Sequence, residues 1–303
     1  MIQINTRPFC CGLARIAYDS SMAKGSILVN DKVVWLTGCA SGVGLHLTDA
    51  FLARGARVFA TDIDLDGMRH AARANGWDAG RLLMRRLDVS DRSAWDALYT
   101  ELIGAWGRFD MLFNVAGVIR PGRLVEATEQ DVDFHFRANL SGVINGCQVA
   151  ARHMCAQGRG HIVNLSSLAG VAAIPGIGLY SASKHAVRAY SLVLAEELEP
   201  SGVAVTVICP DAIETPMLTR QEDYEEAAMT FSGSAPLSVK DISTVVFDRV
   251  IPDRPIEVAV PASRAFLAKL AGAFPGINHR LAGHLRRRGL KTLHARRQKR
   301  GVD

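Results

Sequence analysis

Tyr180 and Lys184 stand four residues apart in Leu179-Tyr180-Ser181-Ala182-Ser183-Lys184. On a helix that spacing puts them one turn apart on one face. A phenol titrates near about 10, and a neighbouring ammonium favours its ionised form, bringing it towards proton exchange at neutral pH. Ser167, thirteen residues upstream, would then hold a substrate oxygen within reach of the same phenol. The same pair also fits an amphipathic helix with a snorkelling lysine, and Ser167 alone fits a turn after a strand. The residues around them have to decide between these readings.

A second group has the chemistry of a phosphate cradle. Val33-Val34-Trp35-Leu36 runs into Thr37-Gly38-Cys39-Ala40-Ser41-Gly42-Val43-Gly44, and a helical pattern follows through Leu45, Leu47, Ala50, Phe51 and Leu52. Gly38, Gly42 and Gly44 let the backbone turn tightly against a pyrophosphate, with the amides and positive dipole end of the following helix beneath it. Asp62 ends the next apolar run, eighteen residues after Gly44. A carboxylate there accepts from a ribose 2′-hydroxyl and repels a 2′-phosphate. No basic residue directly follows Gly38 or Asp62, so the expected cofactor is NAD, with NADP the less favoured alternative.

The elements that must position these groups alternate regularly. Strands are expected at 33–36, 57–62, 82–87, 111–114, 161–165, 203–209 and 256–260. Helices are expected near 64–75, 91–105, 128–156, 179–198 and 238–249. The run of apolar strands alternating with helices predicts a parallel sheet covered on both faces, in one α/β domain. The regularity lapses over 211–235, a stretch long enough to predict a functional loop or lid.

Taken in order, these motifs resemble those of the short-chain dehydrogenase/reductase family over most of residues 32–261. Thr37-Gly38-x-x-x-Gly42-x-Gly44 is similar to its glycine motif, and Tyr180-x-x-x-Lys184 to its active-site pair. Leu87-Asp88-Val89 resembles its adenine-pocket motif, and Asn114-Val115-Ala116-Gly117 its Asn-Asn-Ala-Gly turn, with Val115 in place of the second asparagine. Asn139, in Ala138-Asn139-Leu140-Ser141-Gly142, matches the helical asparagine of its tetrad. Ser167 of Asn164-Leu165-Ser166-Ser167 matches the serine, and Thr215-Pro216-Met217 the segment securing the nicotinamide carboxamide. The resemblance implies a single Rossmann-like, doubly wound domain and a catalytic set of Asn139, Ser167, Tyr180 and Lys184. The implied cofactor set is Gly38, Ser41, Gly42, Val43, Gly44, Asp62, Asp88, Val89, Asn114, Ala116, Gly117, Tyr180, Lys184, Pro210, Ile213 and Thr215. It implies hydride transfer at a carbinol carbon, with Tyr180 as acid or base and Lys184 lowering its pKa and holding the nicotinamide ribose. Ser167 would polarise the substrate oxygen. Asn139 would keep a relay water, and the helix carrying it is expected to be kinked, since an asparagine inside an apolar helix costs propensity unless its amide is used. A homodimer or homotetramer is implied too. Asp211 departs from the family's Pro-Gly, and is read either as a solvent-facing or capping residue or as a selector for a polar substrate group.

Leu168, Val171, Ile174 and Ile177, together with the 211–235 segment, are expected to wall an apolar pocket, which favours a hydrophobic secondary alcohol or its ketone. A non-catalytic dinucleotide-binding sensor or scaffold is the alternative from another class, but it would need only the nucleotide half. Hydrophobic residues make up 49% and charged residues 21% of the 303, as in soluble globular proteins. No apolar run is long enough to span a bilayer, and Met1 to Ser21 lack the order of a secretory signal. Six scattered cysteines without a Cys-x-x-Cys pair point away from disulfides and zinc, so no metal site and a reducing, cytoplasmic setting are expected. The formal charge is +5, yet residues 280–303 alone carry +8, leaving −3 for residues 1–279. Nucleic acid is therefore not expected as a partner. The chain divides into an extension at 1–29, the dehydrogenase-like domain at 30–261 and a basic amphipathic extension at 262–303. That last segment is expected to be solvated or to pack in an oligomer, with weak membrane-surface contact as the next reading.

Overall fold

A computed structural model describes residues 28–301 other than 234. The expected extension at 1–29, with Cys10 and Cys11, therefore lies almost wholly outside the described residues. Seven strands form one parallel sheet: β1 (Val33–Thr37), β2 (Arg57–Asp62), β3 (Leu82–Arg86), β4 (Met111–Asn114), β5 (Gly160–Leu165), β6 (Val203–Pro210) and β7 (Glu257–Val260). Their spatial order is β3-β2-β1-β4-β5-β6-β7. The winding reverses between β1 and β4, and a crevice opens beyond the carboxyl ends of the strands at that reversal.

β1 is buried at every position because helices cover both faces of the sheet. Its alternate residues divide between two cores. Val34 and Leu36 join Val58, Ala60, Leu47 and Phe51 on one side. Val33 and Trp35 join Phe59, Trp95, Phe109 and Leu112 on the other. Trp35 anchors that second core, 4.7 Å from Trp95 and 5.0 Å from Phe59 between ring centroids. Its indole N–H donates to Thr61 Oγ1 at 3.1 Å, so burial leaves no polar atom wanting.

The first helices are α1 (Gly42–Leu52), α2 (Leu65–Asn75) and α3 (Arg92–Trp106). The single helix expected over 128–156 is interrupted. α4 (Glu129–Phe136) gives way to a π-helical turn at Arg137–Ser141 before α5 (Gly142–Gln157). Asn139 sits in that turn, fully buried. α6 (Gly178–Leu198) matches its expected span to one residue. The 211–235 stretch, read as a loop, holds the short helix α7 (Pro216–Gln221) and a 3-10 segment at Glu225–Ser232. α8 (Val239–Val245) passes into a π-helical turn at Val246–Val250.

The last two helices, α9 (Ala262–Ala273) and α10 (Pro275–Arg300), correct the expectation of a solvated tail. α10 folds back on the 3-10 segment, with Leu293 fully buried and Arg296 and Arg300 paired to carboxylates at 214–223. The local sequence hides this because the charges that neutralise the arginines lie some seventy to eighty residues upstream.

Candidate active site

The glycine turn lies at the winding reversal. Gly38 and Gly42 take φ values of 75° and 55°, a region costly for any side chain. At Gly44 the requirement is space: a Cβ would fall 2.0 Å from the Gly38 carbonyl oxygen. Ser41 caps α1 in extended conformation, yet its hydroxyl makes no cap hydrogen bond, leaving it beside the free amides of the first turn. Asp62 ends β2 and accepts from Ala40 N at 2.9 Å and Asp64 N at 2.9 Å, which fixes the carboxylate beside the turn. The cradle therefore fits a pyrophosphate with a ribose against Asp62.

One cleft of about 600 Å³ links this cradle to the tyrosine. It is lined by Gly38, Ser41, Gly42, Val43, Gly44, Asp62, Asp88, Val89, Ala116, Gly117, Ser167, Tyr180, Lys184, Pro210, Ile213 and Thr215. Two residues of the expected set are not on its wall. Asn114 turns inward from the end of β4, where its Nδ2 donates to Asn164 Oδ1 at 2.9 Å, so its side chain ties β4 to β5. Asn139 is behind the wall. Its Oδ1 accepts from Val118 N at 2.7 Å, and its Nδ2 donates to Val118 O at 2.9 Å and Ser183 Oγ at 3.0 Å. Both amide hydrogens are thus occupied, and the side chain fastens the loop after β4 to the tyrosine helix. The π turn accommodates that grip.

Lys184 is 3% exposed, and its Nζ lies 5.7 Å from the centre of the Tyr180 ring while donating to Leu165 O at 2.8 Å. Ser167 and Tyr180 lie on the wall of the same cleft, where Ser167 Oγ donates to the Pro210 carbonyl at 3.5 Å. Ser167 Oγ is further held by Ala169 N at 3.1 Å. Burial, rather than Lys184, dominates the Tyr180 pKa in this pocket. Burial pushes the phenol up to about 12, only partly offset by the nearby Ser167 hydroxyl. The same burial brings the lysine down to about 8. Desolvation penalises both charged forms at once, so the enclosure that brings the ammonium near the phenol also weakens it.

Several supporting contacts of the motif residues were not legible in the sequence. Thr37 Oγ1 accepts from Val115 N at 3.0 Å and Ala116 N at 3.1 Å, holding the turn after β4 against the glycine turn. Ser166 Oγ donates to Lys184 O at 2.8 Å. A Cβ on Gly117 would lie 3.2 Å from Asn139 Oδ1, close enough to push that side chain by a few tenths of an ångström, and 3.4 Å from Lys184 Nζ, in ordinary contact. Thr37 and Ser166 belong to the motifs, but only distance in space reveals what they bond. Asp211 is paired: Arg264 binds it through two nitrogens, at 2.7 and 3.4 Å, on the cleft wall. Of the expected apolar wall, Leu168, Ile174 and Ile177 line the cleft, whereas Val171 packs into a separate cluster with Val207 and Ala265.

Comparison with known proteins places this geometry. Residues 32–226 match the family description "short chain dehydrogenase". The 2-(R)-hydroxypropyl-CoM dehydrogenase of Xanthobacter autotrophicus is 34% identical over 200 residues, covering 64% of this chain and 80% of that one. The D-threitol dehydrogenase of Mycolicibacterium smegmatis is 36% identical over 187 residues, covering 62% and 72%. A short chain dehydrogenase/reductase from Burkholderia phymatum, solved in complex with NAD, superposes with a TM-score of 0.74 at 26% identity, covering 82% of this chain and 95% of that one. The chain belongs to the short-chain dehydrogenase/reductase family.

Proposed function

We propose that the protein is an NAD-dependent oxidoreductase that interconverts a hydrophobic secondary alcohol and its ketone. The observation carrying this reading is the gathering of two hydroxyls, Ser167 and Tyr180, in one cleft with the glycine cradle and with Lys184 beside the Tyr180 ring. When bound, the nicotinamide cofactor supplies the acceptor or donor of hydride.

Ser167, fixed by Ala169 N, presents its hydroxyl to the substrate oxygen and orients it towards the phenol. In reduction, Tyr180 donates its proton to the carbonyl oxygen, and the protonated form it needs is the one that burial favours. In oxidation, Tyr180 must first lose that proton, and an ammonium at Lys184 stabilises the phenolate so formed. Asn139, through Val118 and Ser183, keeps the tyrosine helix in register with the loop after β4. Gly38 to Gly44 and the α1 N-terminus would hold the pyrophosphate, and Asp62 the adenosine ribose. Asp62 and Asp64 both face the cleft, which supports NAD over NADP.

The apolar substrate is supported by Leu168, Ile174, Ile177, Met217, Leu218 and Met229 on the wall, with Asp211 and Arg264 neutralising one another. Arg220, Gln221 and Thr230 on the same wall favour a polyol or another polar alcohol as the second reading. A non-catalytic sensor has no use for the Ser167–Tyr180–Lys184 half. The test is NAD reduction across bulky apolar and small polar alcohols, repeated with NADP. Turnover of the apolar set with NAD supports the reading. Turnover of polyols alone moves the substrate to the second reading, and preference for NADP overturns the role of Asp62.

A further inference from the structure

The outer wall of the cleft is clasped from behind. α7 and the 3-10 segment at Glu225–Ser232 contribute Met217, Leu218, Gln221, Met229 and Thr230 to that wall. Behind them runs α10, all of it beyond the reach of the family match, which ends at residue 226. Glu222 is only 2% exposed and accepts from Arg296 Nε at 2.5 Å, while its other oxygen lies 3.1 Å from Arg300. Arg296 also grips Glu214 through two bonds of 2.6 and 3.1 Å. Arg297 donates to the Glu222 carbonyl at 2.5 Å, and Arg300 to the Thr219 carbonyl at 3.1 Å and to Asp223 at 2.9 Å.

Apolar contacts reinforce these charges. Leu293 is fully buried against a cluster containing Leu218, Ala227 and Phe231, on which Ile174 and Tyr180 also pack. Closer to the start of α10, a Cβ on Gly289 would fall 1.8 Å from the Ala228 carbonyl oxygen, so the helix backbone lies directly on the 3-10 segment. A buried carboxylate between two guanidiniums persists only while its partners stay in place, because losing them strands a charge out of water. The wall and the helix therefore move together.

We propose that the C-terminal helix is a latch on the substrate wall: Arg296 and Arg300, acting through Glu222, and Leu293, acting through Leu218 and Phe231, hold residues 216–232 over the alcohol site and so set the size of substrate admitted. The proposal rests on the reading of this cleft as the alcohol site. These are positioning residues, since none touches the reacting atoms.

Hydrogen–deuterium exchange on the full chain tests it, comparing the wild type with R296A/R300A, R296K/R300K and L293A. Amides over 216–232 should exchange about tenfold faster in R296A/R300A and in L293A, while R296K/R300K retains most of the protection. Amides of the glycine turn should stay within about twofold of wild type, because the latch does not reach β1. With an accepted alcohol, KM for bulky substrates should shift more than kcat. Unaltered exchange over 216–232 in both R296A/R300A and L293A would overturn the latch. So would a loss of protection that spreads equally to the glycine turn. Exchange needs no substrate, so a wild-type protein inert towards every alcohol counts against the proposed function alone.

Discussion

Replacing Lys184 with methionine should stabilise the cofactor-free protein while abolishing its activity. Lys184 is 3% exposed, and burial brings its pKa from 10.5 down to about 8. Each pH unit between those two values is worth about 1.4 kcal/mol, so the folded state bears a penalty of about 3 kcal/mol when both states carry the charge. Methionine has a similar length and no charge to desolvate, but it leaves the Leu165 carbonyl without its donor, which costs about 1 kcal/mol. The net expectation at pH 7 is a gain of about 2 kcal/mol. Its pH dependence follows from the direction of the change. Below pH 8 lysine is charged in both states and the penalty is complete. Between pH 8 and 10.5 the unfolded chain binds the proton that the folded chain has released, so wild-type stability rises with pH relative to the variant. Above 10.5 both states are neutral and the advantage of methionine has gone. Urea unfolding of the two proteins at fixed concentration, from pH 7 to pH 10.5, measures this directly. A lower midpoint for Lys184→Met at pH 7, or a difference that does not shrink as pH rises, would refute the claim that desolvation dominates at this lysine.

Three further outcomes are expected. Tyr180→Phe removes the proton donor and should lower kcat/KM by roughly 10²–10⁴-fold, with NADH binding by fluorescence unchanged. Gly44→Ala brings a Cβ to 2.0 Å from the Gly38 carbonyl oxygen; displacement of the turn should weaken NADH binding at least about tenfold and lower the melting temperature. Asp62→Asn removes the charge that repels a 2′-phosphate, and the ratio of kcat/KM for NAD to that for NADP should fall by about tenfold or more. An unchanged ratio would locate nucleotide selection elsewhere.

What the sequence determined by itself is the frame. Apolar runs alternating with helices forced a parallel sheet, since strands buried on both faces leave no polar side to place in water. β2 and β4 matched their expected spans, and β1 and α6 came within one residue, because each is bounded by local turn chemistry or by the end of a periodic run. The glycine turn was legible as well, its glycines being demanded by backbone geometry within seven residues. Tertiary structure decided everything that depends on distant partners. The π turn at Arg137–Ser141 follows from the Asn139 amide reaching Val118 and Ser183, 21 and 44 residues away. Asn114 faces the core because Asn164 waits on the next strand. Tyr180 and Lys184 could be paired from spacing, but the direction of their pKa values depends on how completely the fold removes water from them. A basic tail looks solvated until the carboxylates of Glu214, Glu222 and Asp223 are brought against it, and that juxtaposition exists only once the chain has closed over its own cleft.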